Sequence, residues 1–321
     1  MPAIEPPDSP STGTGQGGPP GTGASPSPRA AEFSIDASLG IGLLVLAELV
    51  FATMDTVAKY LSQEMPVGMV VWGRYAFNFA FLLPFLLRRR PSEVLRVHRL
   101  GLVLFRGVQL LTATTCFFTA IRYIPLADAV AIGFVAPLFV VALSVPLLGE
   151  RVGPRRWAAV LVGLAGTLVI VRPGFSEVHW AYGLVILLAF IFATFVINTR
   201  ILTRTERPMA MLFYTTLVGA GGASLILPFV WQTPTLAQWG LMAVMGALGG
   251  GSHLMLIHAY RVATASLLAP FQYAQIVFAG FFGWLVFGDL PDGWTIAGTA
   301  ILVGSGLYVL HREALVARPS D

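Results

Sequence analysis

Ten apolar runs, each about as long as a bilayer is thick, follow one another between residues 38 and 311, and this spacing constrains the fold more than any other feature. They read as helices at about 38–61, 67–87, 99–122, 126–148, 155–172, 180–199, 209–230, 236–260, 265–287 and 293–311. A helix crossing the ~30 Å hydrocarbon core needs ~20 largely apolar residues at ~1.5 Å rise each. It also satisfies its backbone polar groups within one segment, which lipid requires. Composition agrees, because only 11% of residues are charged, whereas a water-facing surface uses roughly 25%. The expected class is an all-α integral membrane protein of ten transmembrane helices, with a lipid bilayer as its solvent.

Residues 1–36 are rich in Pro, Gly, Ser and Thr (SPSTGTGQGGPPGTGASPSP), too poor in aliphatic side chains to bury a core, and are expected to form a disordered tail. No basic stretch followed by a short apolar region opens the chain, so no cleavable signal peptide is expected. A short tail, 312–321, ends it. One cysteine, Cys116, excludes an internal disulfide framework and a cysteine-based metal cluster. No cofactor and no metal are expected. The net charge of +4 is not a nucleic-acid footprint, since the basic residues sit in short loops between apolar runs. With the N-terminus inside, fifteen of them fall on one side, and only Arg122 and Arg172 on the other. That bias places both termini in the cytoplasm.

The chain also repeats itself. A shift of 139 residues lays Ala120-Ile-Arg122 on Ala259-Tyr-Arg261 and Gly149-Glu150 on Gly288-Asp289, without a gap between the two matches. Five helices per half (38–172 and 180–311) make the second copy enter the membrane upside down. Halves related in this way can exchange conformations, so that one state opens inward and the other outward.

Two stretches, AIRYIPLADAVAIGFVAPLFVVALSVPLLGERVGPRRWAAVLVGLAGTLVIVRPG and PFQYAQIVFAGFFGWLVFGDLPDGWTIAGTAILVGSGLYVL, resemble the second part of an EamA repeat. Such repeats define many members of the drug/metabolite transporter superfamily. The resemblance covers about 40 to 311 and implies a ten-helix bundle, two inverted five-helix EamA repeats with a central cavity lined by both. It says little about substrate. The first helix, GLLVLAELVFATMDTVAKYL, and the fourth are most similar to members grouped with bacterial S-adenosylmethionine uptake proteins.

Ionisable residues inside spans are costly unless paired or hydrated, so each is a candidate for function. Glu48, Asp55 and Lys59 share one face of the first helix. Asp55 and Lys59 have the spacing of an i,i+4 ion pair, and Glu48, without a local partner, suits a substrate-binding or proton-coupled carboxylate. Arg74 and Arg106 either snorkel or pair with these carboxylates; Arg74 reads as structural, and Arg106, with Gln109 a turn further on, as either. Asp128 starts the fourth helix, where a carboxylate meets the helix dipole. The 139-residue shift maps Thr112–Cys116 onto Gly251–Met255 at mid-membrane depth, which makes Thr112, Thr115 and His253 candidates for substrate contact; close packing through small residues is the other reading. Gln272 and Gln275 share a face in the ninth helix, with Tyr273 beside them, and could orient a polar substrate, while Phe134 and Phe271 could stack on a flat or cationic one. Pro137 and Pro146 can bend the fourth helix.

No P-loop, HExxH or GxSxG motif is present. The expected activity is secondary transport of a small polar metabolite, such as an amino acid, S-adenosylmethionine or a similar zwitterion or cation, across a bacterial inner membrane, by a monomer or homodimer. An exporter of amino acids or drugs, a riboflavin-type vitamin transporter and a membrane sensor or assembly protein are the alternatives.

Overall fold

The computed structural model describes residues 28–88, 94–149, 153–172, 179–263 and 265–316. All ten expected spans are helical. In chain order they are α1 (Pro28–Glu64), α2 (Val67–Leu87), α3 (Leu100–Ile121), α4 (Leu126–Gly133) continued by α5 (Ala136–Leu148), α6 (Pro154–Val171), α7 (Ala181–Leu202), α8 (Pro208–Val230), α9 (Leu236–Val262), α10 (Ala265–Leu268) continued through a 3-10 turn (Ala269–Tyr273) into α11 (Ala274–Phe287), and α12 (Gly293–Val316). Among the described residues eight spans are long and apolar enough to cross a membrane on their own measure, and two shorter apolar helices, Trp157–Val171 and Gly293–Val309, complete the ten.

The ends of the chain depart from expectation. Helix α1 starts at Pro28, inside the stretch read as a disordered tail, and α12 runs on to Val316. Both extensions are rich in helix formers (PRAAEF, REALV), and proline suits a first helical turn because its missing N–H has no partner there anyway. The rest of both tails, 1–27 and 317–321, lies outside the described residues, as does Glu150 of the Gly149-Glu150 repeat.

The repeat is visible in the backbone. The fourth span breaks around Phe134 and the ninth around Tyr273, positions 139 residues apart, and the two rings meet with centroids 4.9 Å apart. Gly149 and Gly288, also 139 apart, both end their helices in the left-handed region at φ 69° and 75°, where a residue without Cβ pays no steric penalty. Packing obeys the same symmetry. Helix α1 lies against α9 and α11 of the other half, while α7 lies against α3 and α5. The run GALGGGSHL serves close packing: Gly246 and Gly250 leave room for Phe77, Asn78 and Phe81 of α2.

Helix ends alternate between a basic end, where Arg99, Arg155, Arg200 and Arg207 lie, and a far end. The largest buried apolar cluster belongs to the far half and joins nine spans, with Leu61, Met69, Ile121, Leu126, Ile170, Val185 and Met242 among its members. The basic half holds several separate, smaller clusters instead. Ion pairs tie the far end further. Lys59 Nζ, buried, lies 2.6 Å from Asp289 Oδ2, donates to the Ile124 carbonyl at 3.1 Å and sits over the Phe287 ring. The i,i+4 pairing of Asp55 with Lys59 therefore does not form. A lysine a turn beyond Asp55 reaches the helix end, where the loop after α11 offers a carboxylate with better access to water. Arg172 pairs with Asp292 on the same loop at 2.7 Å. Asp128 accepts hydrogen bonds from Tyr182 (2.8 Å) and Thr295 (2.9 Å), so its role as an anchor rests on side chains as well as the helix dipole.

Candidate functional site: a central cavity between the halves

A cavity of about 270 Å³ lies at mid-depth, with Met54 and Val130 of the far-half cluster in its wall. Helix α1 contributes Phe51, Met54 and Asp55; α2 contributes Arg74; α3 contributes Leu110, Ala113, Thr114 and Phe117. The broken fourth span gives Val130, Gly133, Phe134, Ala136 and Pro137, α7 gives Leu188 and Phe192, and the broken ninth span gives Gln272 and Gln275. Both helix breaks thus border the cavity, consistent with discontinuous helices at transporter sites.

Asp55 is 4% exposed, and its Oδ2 accepts a hydrogen bond from Gln275 Nε2 at 3.2 Å. Gln272 Nε2 donates to the Tyr260 hydroxyl at 2.6 Å. Arg74 donates to Thr114 Oγ1 at 3.1 Å, and the same oxygen lies 2.9 Å from the Tyr75 hydroxyl. Tyr75 and Phe118 place their rings 5.7 and 5.3 Å from the guanidinium carbon. Asp55 and Arg74 thus put opposite charges on one cavity without forming an ion pair with each other.

Of the candidates read from sequence, Asp55, Gln272 and Gln275 line the cavity, and Phe134 does too. Three others are turned elsewhere. Thr112 is exposed on the outer face and returns its hydroxyl to the Val108 carbonyl, and Thr115 returns its own to Leu111. Tyr273 packs on Phe134 with its phenol end over Gly306 of α12. The cause is helical phase: the cavity face of α3 runs 110, 113, 114, 117, the i, i+3, i+4, i+7 stripe, which leaves 112 and 115 outside it. Thr114, in the same TATTC stretch, is a polar lining residue outside the candidates read from sequence, and Arg74, read as structural, lines the cavity as well.

Arg106 does not reach the carboxylates of α1. It donates to Thr199 at 2.8 Å and to Thr215, and stacks over Phe195 at 4.4 Å, tying α3 to α7 and α8. Gln109 continues this ladder by donating to Thr194 and accepting from Asn198. Glu48 is buried at 5% exposure, two turns from Asp55 toward the basic end, within electrostatic reach of Asp55 and Tyr260. His253 meets Phe51 edge-on at 5.1 Å, behind the cavity wall. His258 is exposed, with Nδ1 2.8 Å from the Leu254 carbonyl, and Phe271 lies outside the lining. Among the described residues no group of three or more His, Cys, Asp or Glu side chains could hold a metal ion.

Comparison with known proteins decides the family. Residues 38–172 and 179–310 each match the model of the EamA-like transporter family. The chain belongs to that family. Similar proteins include the pseudopaline exporter CntI of Pseudomonas aeruginosa, 32% identical over 82% of this chain and 93% of the exporter. A riboflavin transporter of Rhizobium johnstonii is 29% identical (86% and 92%), and an S-adenosylmethionine uptake transporter of Rickettsia bellii 27% (86% and 94%). A protein of known crystal structure shares the fold, with a TM-score of 0.61 at 21% identity over 89% of this chain and 99% of that one. This EamA-like protein is thus a multi-pass membrane transporter of small molecules, not an enzyme, and the central cavity is where both of its repeats meet.

Proposed function

We propose that this EamA-like transporter is a secondary transporter of a small polar metabolite, a zwitterion or cation of the amino acid or S-adenosylmethionine kind. It works across a bacterial inner membrane by alternating access, with both termini in the cytoplasm. The observation that carries this reading is Asp55: a buried carboxylate in an otherwise largely apolar cavity, held by one amide and offering an oxygen to a cationic group. Burying a charge at this depth costs several kcal/mol unless something compensates it, and a cationic nitrogen or sulfonium would do so when bound. The relatives with 27–32% identity include carriers named for uptake and for export, so direction is set by coupling rather than by fold. The arginine asymmetry supports the basic end as cytoplasmic, and the continuous far-half core then supports a state closed to the outside.

A second reading has support in the aromatic lining. Phe51, Phe117, Phe134 and Phe192 could hold a flat ring system, as a riboflavin-type substrate would need. Uptake of labelled S-adenosylmethionine, amino acids and riboflavin into proteoliposomes separates the two. Glu48→Gln should abolish transport or its pH dependence; full activity of this variant with an unaltered pH profile would remove Glu48 from the mechanism. If the reconstituted, folded protein moves none of these compounds, the proposal fails.

A further inference from the structure

We infer that Arg74 is the anion-recognising group of this cavity, and that the transported molecule carries a free carboxylate at a distance from its cationic group. The inference rests on the transport reading and narrows it, separating true zwitterions from plain organic cations.

Among the described residues no carboxylate lies within ion-pair distance of Arg74. A guanidinium has five N–H donors in a planar fork, and the bond seen here goes to a neutral hydroxyl, that of Thr114. Thr114 is 4% exposed and is itself fixed by the Tyr75 hydroxyl. With the rings of Tyr75 and Phe118 beside it, the guanidinium is held in place without being neutralised. A purely structural arginine at this depth would gain most by pairing with Asp55, which lines the same cavity. Asp55 is instead engaged by Gln275 from the broken ninth span. Two opposite charges kept apart on the walls of one cavity form a dipolar receptor. A lone cation would satisfy Asp55 and leave Arg74 uncompensated; a lone anion would do the reverse. A zwitterion satisfies both, and a bidentate carboxylate matches the fork of Arg74.

The repeat supports this placement. Thr114 and His253 are 139 residues apart, so they are equivalent positions in the two halves, and Arg74 bonds one and lies within electrostatic reach of the other. Arg74 therefore stands where the halves meet, the place from which a bound carboxylate could be kept as they exchange conformations.

The test measures thermal stabilisation of the purified full-length protein by three matched sets of probes. These are the amino acids together with S-adenosylmethionine, their carboxyl esters or decarboxylated amines, and their N-acetyl derivatives. At least one zwitterion should stabilise the protein, and its carboxyl-blocked partner should bind about 10- to 100-fold more weakly, the range for one charge-assisted hydrogen-bonded contact. Arg74→Gln should erase that preference, and Arg74→Lys should keep part of it. Where Arg74→Gln does not fold, Arg74→Lys and Thr114→Val, which loosen the fork without removing its charge, should each narrow the preference. A blocked analogue as good as its parent, a preference undiminished in the variants, or no response to any zwitterion would overturn the inference. In those cases, riboflavin or cation uptake by proteoliposomes would leave the transport reading standing; no uptake at all would end both.

Discussion

Thr112 and Thr114 are two residues apart, and a helix sends such residues about 200° apart around its axis. Thr112 lies exposed on the outer face and Thr114 is buried beside Arg74. The TATTC stretch is legible from sequence in depth, because the 139-residue shift sets it opposite Gly251–Met255. It is not legible in phase, since small and apolar residues occupy every face of α3 and leave no stripe to read. Thr112→Val should leave thermal stability within about 0.5 kcal/mol of the parent, as lipid accepts either side chain. Thr114→Val removes the acceptor of Arg74 and the partner of Tyr75, and should cost about 1–3 kcal/mol by leaving buried donors unsatisfied. Thermal unfolding of the two variants in parallel decides it, and equal effects would mean that the phase of α3 is wrong.

At the level of elements, the helix positions were legible because lipid demands a fixed apolar length, and the break in the fourth span falls at Phe134, close to Pro137; the break of the ninth span, in the turn that holds Pro270, was not read from the sequence. Partner choice was not legible. Lys59 has Asp55 one turn away, yet pairs with Asp289, 230 residues distant, because only the folded bundle brings the loop after α11 against the end of α1. That pair clasps the two halves at the far end. Removing one partner of a fully buried pair costs about 3–5 kcal/mol, but Asp289 keeps 32% of its side chain exposed. Solvent screening therefore lowers the expected cost of Lys59→Asn or Asp289→Asn to about 1–3 kcal/mol. Lys59→Met should be worse than Asp289→Asn, since it also frees the Ile124 carbonyl. The double variant Lys59→Met with Asp289→Asn should cost less than the sum of the two. Strict additivity in thermal unfolding would mean that the contact contributes nothing.

Over the whole molecule, each end is fastened by a carboxylate that reaches from the end of one half's first helix, or the loop just after it, to the start of a helix in the other half. At the far end Glu64 accepts from Gln238 of α9 at 3.1 Å; at the basic end Glu206 accepts the backbone N–H groups of His98 (3.0 Å) and Arg99 (2.8 Å) at the start of α3. The second is the stronger fastening, because it satisfies helix-terminal N–H groups that have no partner within the helix. It also has a pH signature. Burial alone would raise the pKa of Glu206, but the two backbone donors, the nearby His98 and the Thr205 hydroxyl together hold it below its usual value of 4.5. Protons therefore bind the unfolded state more readily than the folded one. The stabilisation is complete above the unfolded pKa and is lost as pH falls through the lower, folded value. Thermal midpoints of the parent should hold steady from neutral pH down to about the ordinary carboxylate range and then drop. Glu206→Gln keeps the shape but not the charge, so it should begin with a lower midpoint at neutral pH and lose less of it on acidification. If the two curves stay parallel down to pH ~3, the carboxylate is not what joins the halves at the basic end.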